Sequence, residues 1–240
     1  MSTTPPSLVP ISAWLSFIEE REQRLHAETS YEVAAEHQIE FNATYGICAQ
    51  AIRYAGAYVA LYRAGRSREA VVVGRQALEH ALTAQWAHFG EGRADELIES
   101  YYHSRERVFR AVTTHLRTPP EEVEEALASM AGRGKRLLRV TDMIDQIDYD
   151  EMFKTAYLQL SQIVHVSGET VTAFMTTNEE GGIGILSEAI DPHERQTAHY
   201  TAMAAMFASW LLESLRVQSS ELEELDRLSD ALGLPLNVRD

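Results

Sequence analysis

Two sets of polar side chains stand where the helical pattern of this sequence calls for apolar ones. Between Ser67 and Phe89, Val71, Leu78, Leu82, Trp86 and Phe89 recur at three- and four-residue intervals. At about 100° per residue, Arg75 and Glu79 fall within about 80° of the direction of Val71, on the same stripe. A buried guanidinium is costly unless it is paired and hydrogen-bonded, and a carboxylate one turn on supplies part of that pairing. The pair therefore either fixes helix register or turns an arginine toward a ligand or a reacting phosphate.

The second set is Tyr157, Ser161 and His165, at about 40°, 80° and 120° from Phe153 on a face shared with Leu160 and Val164. Together they offer a phenol, a hydroxyl and an imidazole to one groove. Imidazole is the side chain best able to exchange a proton near neutral pH, so His165 is the candidate general acid or base. A satisfied buried network is the competing explanation. Because each set lies on an apolar face and needs partners, the two helices are expected to pack side by side. Arg75 and Glu79 would then lie within a few ångströms of Tyr157, Ser161 or His165.

Arg105 shares the face of Tyr101, Val108 and Val112 and is a further binding candidate, half-buried with a stem that can snorkel. His199 heads a stripe of Met203, Met206, Trp210 and Val217 that reads as core. No HExxH, no paired Glu-x-x-His helices, no phosphate-cradling glycine loop and no Gly-x-Ser-x-Gly elbow occurs, so neither a metal nor a cofactor is expected. Cys48 is the single cysteine, which excludes an intramolecular disulfide and a multi-cysteine zinc site.

The elements that must position these groups are helical throughout. Ser12 to Glu28 reads as a short amphipathic helix capped by Ser12, and Tyr31 to Arg63 as one long helix bent near Gly46. The Arg75 helix follows, capped by Ser67, and then a helix from Ala94 to Leu116. Thr118-Pro119-Pro120-Glu121-Glu122 is a strong start signal for a helix of about a dozen residues. Lys135 to Ile147 reads as helical again, and a long helix capped by Asp148 or Asp150 carries Tyr157 to Met175. The glycine-rich stretch from Asn178 to Ile190 predicts a loop or small hairpin, and a last helix restarts at Pro192 and continues to about Leu232. No βα alternation is present. The expected fold is all-α, an up-and-down bundle of about six to eight helices with that glycine-rich loop or hairpin before the last one.

The 240 residues are 45% apolar, enough for one continuous core, so residues 11–240 are expected to form a single domain behind a flexible arm of residues 1–10. That arm does not read as a targeting signal, and no apolar run reaches membrane-spanning length, which points to the cytoplasm and to no membrane. The net charge of −15 repels polyanions and argues against non-specific DNA binding. Two basic clusters stand against it, Arg133, Lys135, Arg136 and Arg139 in one, and Arg105, Arg107, Arg110 and Arg117 in the other. A solvated helix face accounts for either.

Arg75-x3-Glu79 ending in Trp86, then Tyr157-x2-Leu160-Ser161-x3-His165, a glycine-bearing loop and a last long helix, resemble a group of bacterial helical proteins of unknown function. The likeness runs from roughly Tyr45 to Leu215. That group in turn is distantly similar to the HEPN superfamily, helical domains of toxin and antiviral systems. Many HEPN proteins cut RNA with an Arg-x4-6-His motif, often as dimers. The sequence departs from that pattern, because no basic residue stands at Leu158, Gln159 or Leu160, ahead of His165. Arg21/His26, Arg75/His80 and Arg110/His115 do match Arg-x4-His, a number that this composition reaches by chance. Arg110 is expected to face solvent and His115 to face inward.

Three functions stay open. One is a non-catalytic binding or regulatory module, with a protein partner or a homodimer, which the resemblance would set in bacterial defence. Another is a metal-independent HEPN-like ribonuclease or toxin. There His165 would act as acid or base, Arg75 would stabilise the phosphate, Glu79 would orient Arg75, and Tyr157 and Ser161 would position the nucleotide. The third is an enzyme or sensor for a small nucleotide.

Overall fold

A computed structural model describes residues 9–115, 121–130, 132, 134–149, 151–177, 179 and 181–240. Residues 1–8 of the expected arm, the Thr118-Pro119-Pro120 start signal, Arg117, Arg133, Asp150 and Asn178 lie outside them. Among the described residues the chain is all-α, with ten α-helices and one two-stranded hairpin.

Three helices make the centre: α2 (Gln38–Arg63), α3 (Ser67–His88) and α9 (Glu194–Ser214), each packed on the other two. They approach closely because their facing positions are small. Ala198, Ala202, Ala205 and Ala208 of α9 are fully buried, as are Ala70, Ala77 and Ala81 of α3 and Ala51 and Ala55 of α2. Gly74 takes this furthest, since a Cβ there would stand 2.7 Å from the Thr201 hydroxyl oxygen and 3.2 Å from the Tyr58 ring. Trp86, Tyr58, Phe207, Leu78, Leu82, Met203 and Met206 fill the remaining space with almost no exposed surface. Around this centre, α1 (Ile11–Ala27) covers α2 and α9, and α10 (Glu221–Leu232) covers α9. On the opposite flank α4 (Arg93–His115) leans on α2 and α3 and carries α5 (Glu121–Met130), while α6 (Val140–Ile144) and α7 (Met152–Val164) pack on α3.

Several boundaries differ from those that periodicity suggests, each for a local reason. Tyr31 to Ala34 is not helical. The Ala34 N–H donates to Leu215 O, and the Val217 N–H donates to Glu32 O, so this stretch bridges to the end of α9, and a short 3-10 turn (Ala35–His37) precedes α2. The same bridge stops the last helix at Ser214. There Ser219 donates to the Glu213 carboxylate and accepts from the Glu221 N–H, starting α10 as a separate helix. Val217 is therefore off the helix and exposed instead of continuing the Met203 stripe, and Trp210 is half-buried. Ser12 and Ser67 lie inside their helices and make no cap bond. Asp148 does serve the start of α7, accepting the Lys154 N–H at 2.8 Å from outside the helix.

Lys135 to Ile147 is largely irregular, with helix at Val140–Ile144 alone. Gly134 explains this. Its φ of +86° suits glycine, and a Cβ would stand 2.2 Å from Glu99 O, so the chain here lies flat across the α4 backbone instead of coiling. The helix carrying Tyr157 also ends early. It stops at Val164, followed by the short α8 (Gly168–Thr172) and a hairpin of β1 (Met175–Thr177) paired antiparallel with β2 (Ile183–Ile185). The hairpin thus begins three residues before the glycine-rich stretch. Ser167 donates to Gln162 O and Thr170 to His165 O, satisfying carbonyls that a continuing helix would have used.

Candidate functional site

The α3 and α7 stripes meet as the two polar sets require. Arg75 Nε donates to Ser161 Oγ at 3.0 Å, Nη2 donates to Tyr157 Oη at 2.6 Å, and Nη2 lies 3.4 Å from Glu79 Oε2. The guanidinium also stacks on the Tyr157 ring, 4.9 Å from its centre. Ser161 spends its own proton on Tyr157 O, one turn back, leaving its lone pairs for Arg75. Tyr157 is buried and reaches Glu79 Oε2 at a long 3.5 Å. Burial pushes its phenol up from the usual value, the Glu79 charge adds to this, and Arg75 opposes both. Arg75 is 14% exposed and Glu79 28%, so the pair is a partly wet ion pair at the edge of the core, not a fully enclosed one.

His165 is not part of this group. It is the residue after α7, in extended backbone at φ −84° and ψ 161°, with its N–H bound to Ser161 O. The side chain is exposed, and among the described residues its ring takes part in no hydrogen bond or ion pair. The 100° projection fails here because the helix ends one residue earlier. Arg105 is exposed, not half-buried. It lies between the Tyr101 and Phe109 rings on α4, 5.4 and 5.2 Å from their centres, and donates to the Tyr101 hydroxyl. Arg107, Arg110, Lys135, Arg136 and Arg139 are exposed as well, Arg110 in an ion pair with Glu106. His115, expected to face inward, is exposed.

Beside the Arg75 group opens a cleft of about 750 Å³, within the range of small-molecule pockets. Its back wall is α3, through Glu79, His80 and Thr83, with Tyr157 of α7 at one end. Asn42, Ala43 and Ile47 of α2 form one side and Leu97 and Tyr101 of α4 the other. Leu137, Val140 and Met143, on the stretch that Gly134 lays across α4, line it as well, together with the exposed Arg139. Glu79 thus belongs to both features, one oxygen toward Arg75 and Tyr157 and its exposed part toward the cleft.

His80 is the residue that the periodicity missed. It projects about 180° from Val71, which on a one-sided helix would be solvent. On α3, packed on α2, α4, α6, α7 and α9, no side is simply outside. Its ring lies edge-on to Tyr54, 5.2 Å between centres, and Nδ1 lies 2.8 Å from the Gln76 carbonyl. A carbonyl can only accept, so Nδ1 carries a proton, and the tautomer this selects has its lone pair on Nε2. The Arg75-x4-His80 spacing is one of three in the sequence, a chance number, so it did not single His80 out.

No group of three or more His, Cys, Asp or Glu side chains among the described residues is arranged to hold a metal ion. No helix among them is long and apolar enough to cross a membrane.

No curated protein and no solved structure matches the chain. A family model matches residues 41–183, a span that includes every cleft residue named above together with Arg75 and Ser161. That model is described as a family of unknown function, DUF5677, and since it covers more than half of the chain, the chain belongs to that family.

Proposed function

We propose that the chain is a non-catalytic helical binding module whose binding surface is the cleft between α2, α3, α4 and the 137–143 stretch. The observation that carries this reading is how Arg75 is used. Its Nε and Nη2 are held by Ser161, Tyr157 and Glu79, so the cation ties α3 to α7 and holds Glu79 at the cleft edge. An arginine committed in this way is poorly suited to receive a phosphate, and His165 stands apart from it. In this reading the module works in the cytoplasm and passes ligand occupancy to a protein partner or a second copy of itself, in bacterial defence if the HEPN likeness holds.

The test is chemical-shift mapping by NMR with a panel of cationic, neutral and anionic aromatic fragments. Shifts gathered on Ala43, His80, Leu97 and Tyr101 support the reading. Shifts scattered over the surface, with those four unmoved, oppose it.

A HEPN-like, metal-independent ribonuclease is the second reading, favoured by one observation: His80 stands on the cleft wall beside Glu79, five residues after Arg75. Metal-free degradation of transfer, messenger or ribosomal RNA, abolished by His80→Ala or His165→Ala, would put this reading first. Intact RNA after incubation with pure protein supports the binding module.

A further inference from the structure

The chemistry of the cleft wall is one-sided. Three polar side chains of α3 face it, and each has its own proton committed elsewhere or has none to give. Thr83 donates its hydroxyl proton to Glu79 O at 2.8 Å, which leaves its lone pairs free. His80 commits Nδ1 to Gln76 O, which in that tautomer leaves Nε2 as an acceptor. Glu79 is an acceptor at both oxygens, and Arg75 and Tyr157 occupy Oε2. The donors lie on the other walls. Asn42 presents its amide N–H2, since its Oδ1 accepts from Gln38, Tyr101 accepts from Arg105 and keeps its own hydroxyl proton, and the exposed Arg139 also lines the cleft. The rest of the lining is apolar, chiefly Ile47, Leu97, Val140 and Met143.

From this arrangement, and resting on the reading of the cleft as the binding surface, we infer that its ligand is a small organic base. It is an amidine, guanidine or amine on an apolar body, whose N–H groups face Glu79, His80 and Thr83. An acceptor wall left without donors would be costly to dehydrate, so the complementary guest must bring several N–H groups. Its positive charge meets the Glu79 carboxylate, and its apolar body replaces water on the aliphatic side. The net charge of −15 raises the local concentration of any cation near the surface. An anionic guest meets the opposite on the α3 wall, a carboxylate and two lone pairs, and would have to turn to Asn42, Tyr101 and Arg139 on the other walls.

Benzamidine, benzamide and benzoate have nearly the same shape and differ in charge and donor count, so they serve as probes. Titrations of the full chain followed by NMR and calorimetry should show benzamidine in the cleft at least about tenfold tighter than benzamide, with benzoate weaker still. Glu79→Gln should weaken benzamidine by about tenfold or more and leave benzamide within about threefold. Thr83→Val, nearly isosteric, should weaken benzamidine severalfold and keeps the test open if Glu79→Gln fails to fold. Glu223→Gln, which removes an equal charge from exposed α10, should change nothing beyond about twofold. Benzoate or benzamide seated in the cleft as tightly as benzamidine overturns this inference and leaves the binding-module reading standing. So does benzamidine binding that is indifferent to both Glu79→Gln and Thr83→Val. No cleft shift with any of the three probes overturns the binding-module reading itself, and this inference with it.

Discussion

Replacing Arg75 with alanine removes a cation that four groups hold. Two hydrogen bonds from a charged donor are lost, to Tyr157 and Ser161, each worth about 1.5–3 kcal/mol. The stack on the Tyr157 ring adds roughly 0.5–2 kcal/mol. The Glu79 pair, partly exposed, contributes at most about 1 kcal/mol. The sum overstates the loss, because water can reach the vacated edge, Ser161 still donates to Tyr157 O, and Tyr157 can turn to Glu79. A net destabilisation of about 2–4 kcal/mol follows. At roughly 2–4 °C per kcal/mol for a chain of this size, the melting temperature should fall by about 4–16 °C. Arg75→Leu with Glu79→Met, which removes charge and partner together, should cost less than the single change. Urea unfolding of both variants gives the numbers. In parallel, the Tyr157 phenol, followed by its ring carbon in NMR, should titrate still higher in Arg75→Ala, since Arg75 is what lowers it. A single variant within about 0.5 kcal/mol of the parent, with Tyr157 unmoved, would show that α3 and α7 are not joined in this way.

Stability should also depend on pH at both ends. Burial raises the phenols of Tyr31, Tyr58, Tyr157 and Tyr200, takes Tyr62 to about 12 with help from Glu194, and raises the Cys48 thiol. Each raised group stabilises in full below its unfolded value, about 8.5 for cysteine and about 10 for tyrosine, and that stability is lost as pH rises through the folded value. Burial lowers His199, so its contribution is present above about 6.5 and is lost as pH falls. Urea midpoints should be flat near pH 7–8.5 and fall on either side, steeply above about pH 10; a level midpoint at pH 11 contradicts the buried tyrosines. Gly134→Ala should cost about 1–3 kcal/mol by lifting the 134–139 stretch off α4, and a neutral result by denaturation would show that this contact is absent. His165→Ala should stay within about 0.5 kcal/mol of the parent; a loss above about 2 kcal/mol would mean that the imidazole is packed.

The parts of this fold legible in the sequence are those set by strong periodicity within one helix. The stripe of Val71, Leu78, Leu82 and Trp86 was enough to place Arg75 and Glu79 at a buried edge, and the Phe153 stripe placed Tyr157 and Ser161 opposite them. What was not legible came from contacts between distant segments. Nothing near Tyr31 announces the bridge to Arg216, and nothing near Lys135 announces that Gly134 lies on the Glu99 carbonyl. The early stop at Val164 was signalled by Ser167 and Gly168, a pair better suited to a new start than to a helix interior, and it is what separates His165 from the groove. His80 was hidden for a different reason. A helical projection assumes one buried face, and α3 is packed on several sides, so a residue opposite the main stripe still faces protein and a cleft.

The central claim is that the cleft beside Glu79 is where this protein binds its ligand. A crystal structure of the full chain soaked with the cationic, neutral and anionic fragments tests this most directly. Density is expected in the cleft, against Glu79 and His80 on one side and Leu97 and Met143 on the other, with benzamidine N–H groups toward α3. Fragments found elsewhere, with Leu137 and Val140 packed directly onto Glu79 and His80, would contradict it.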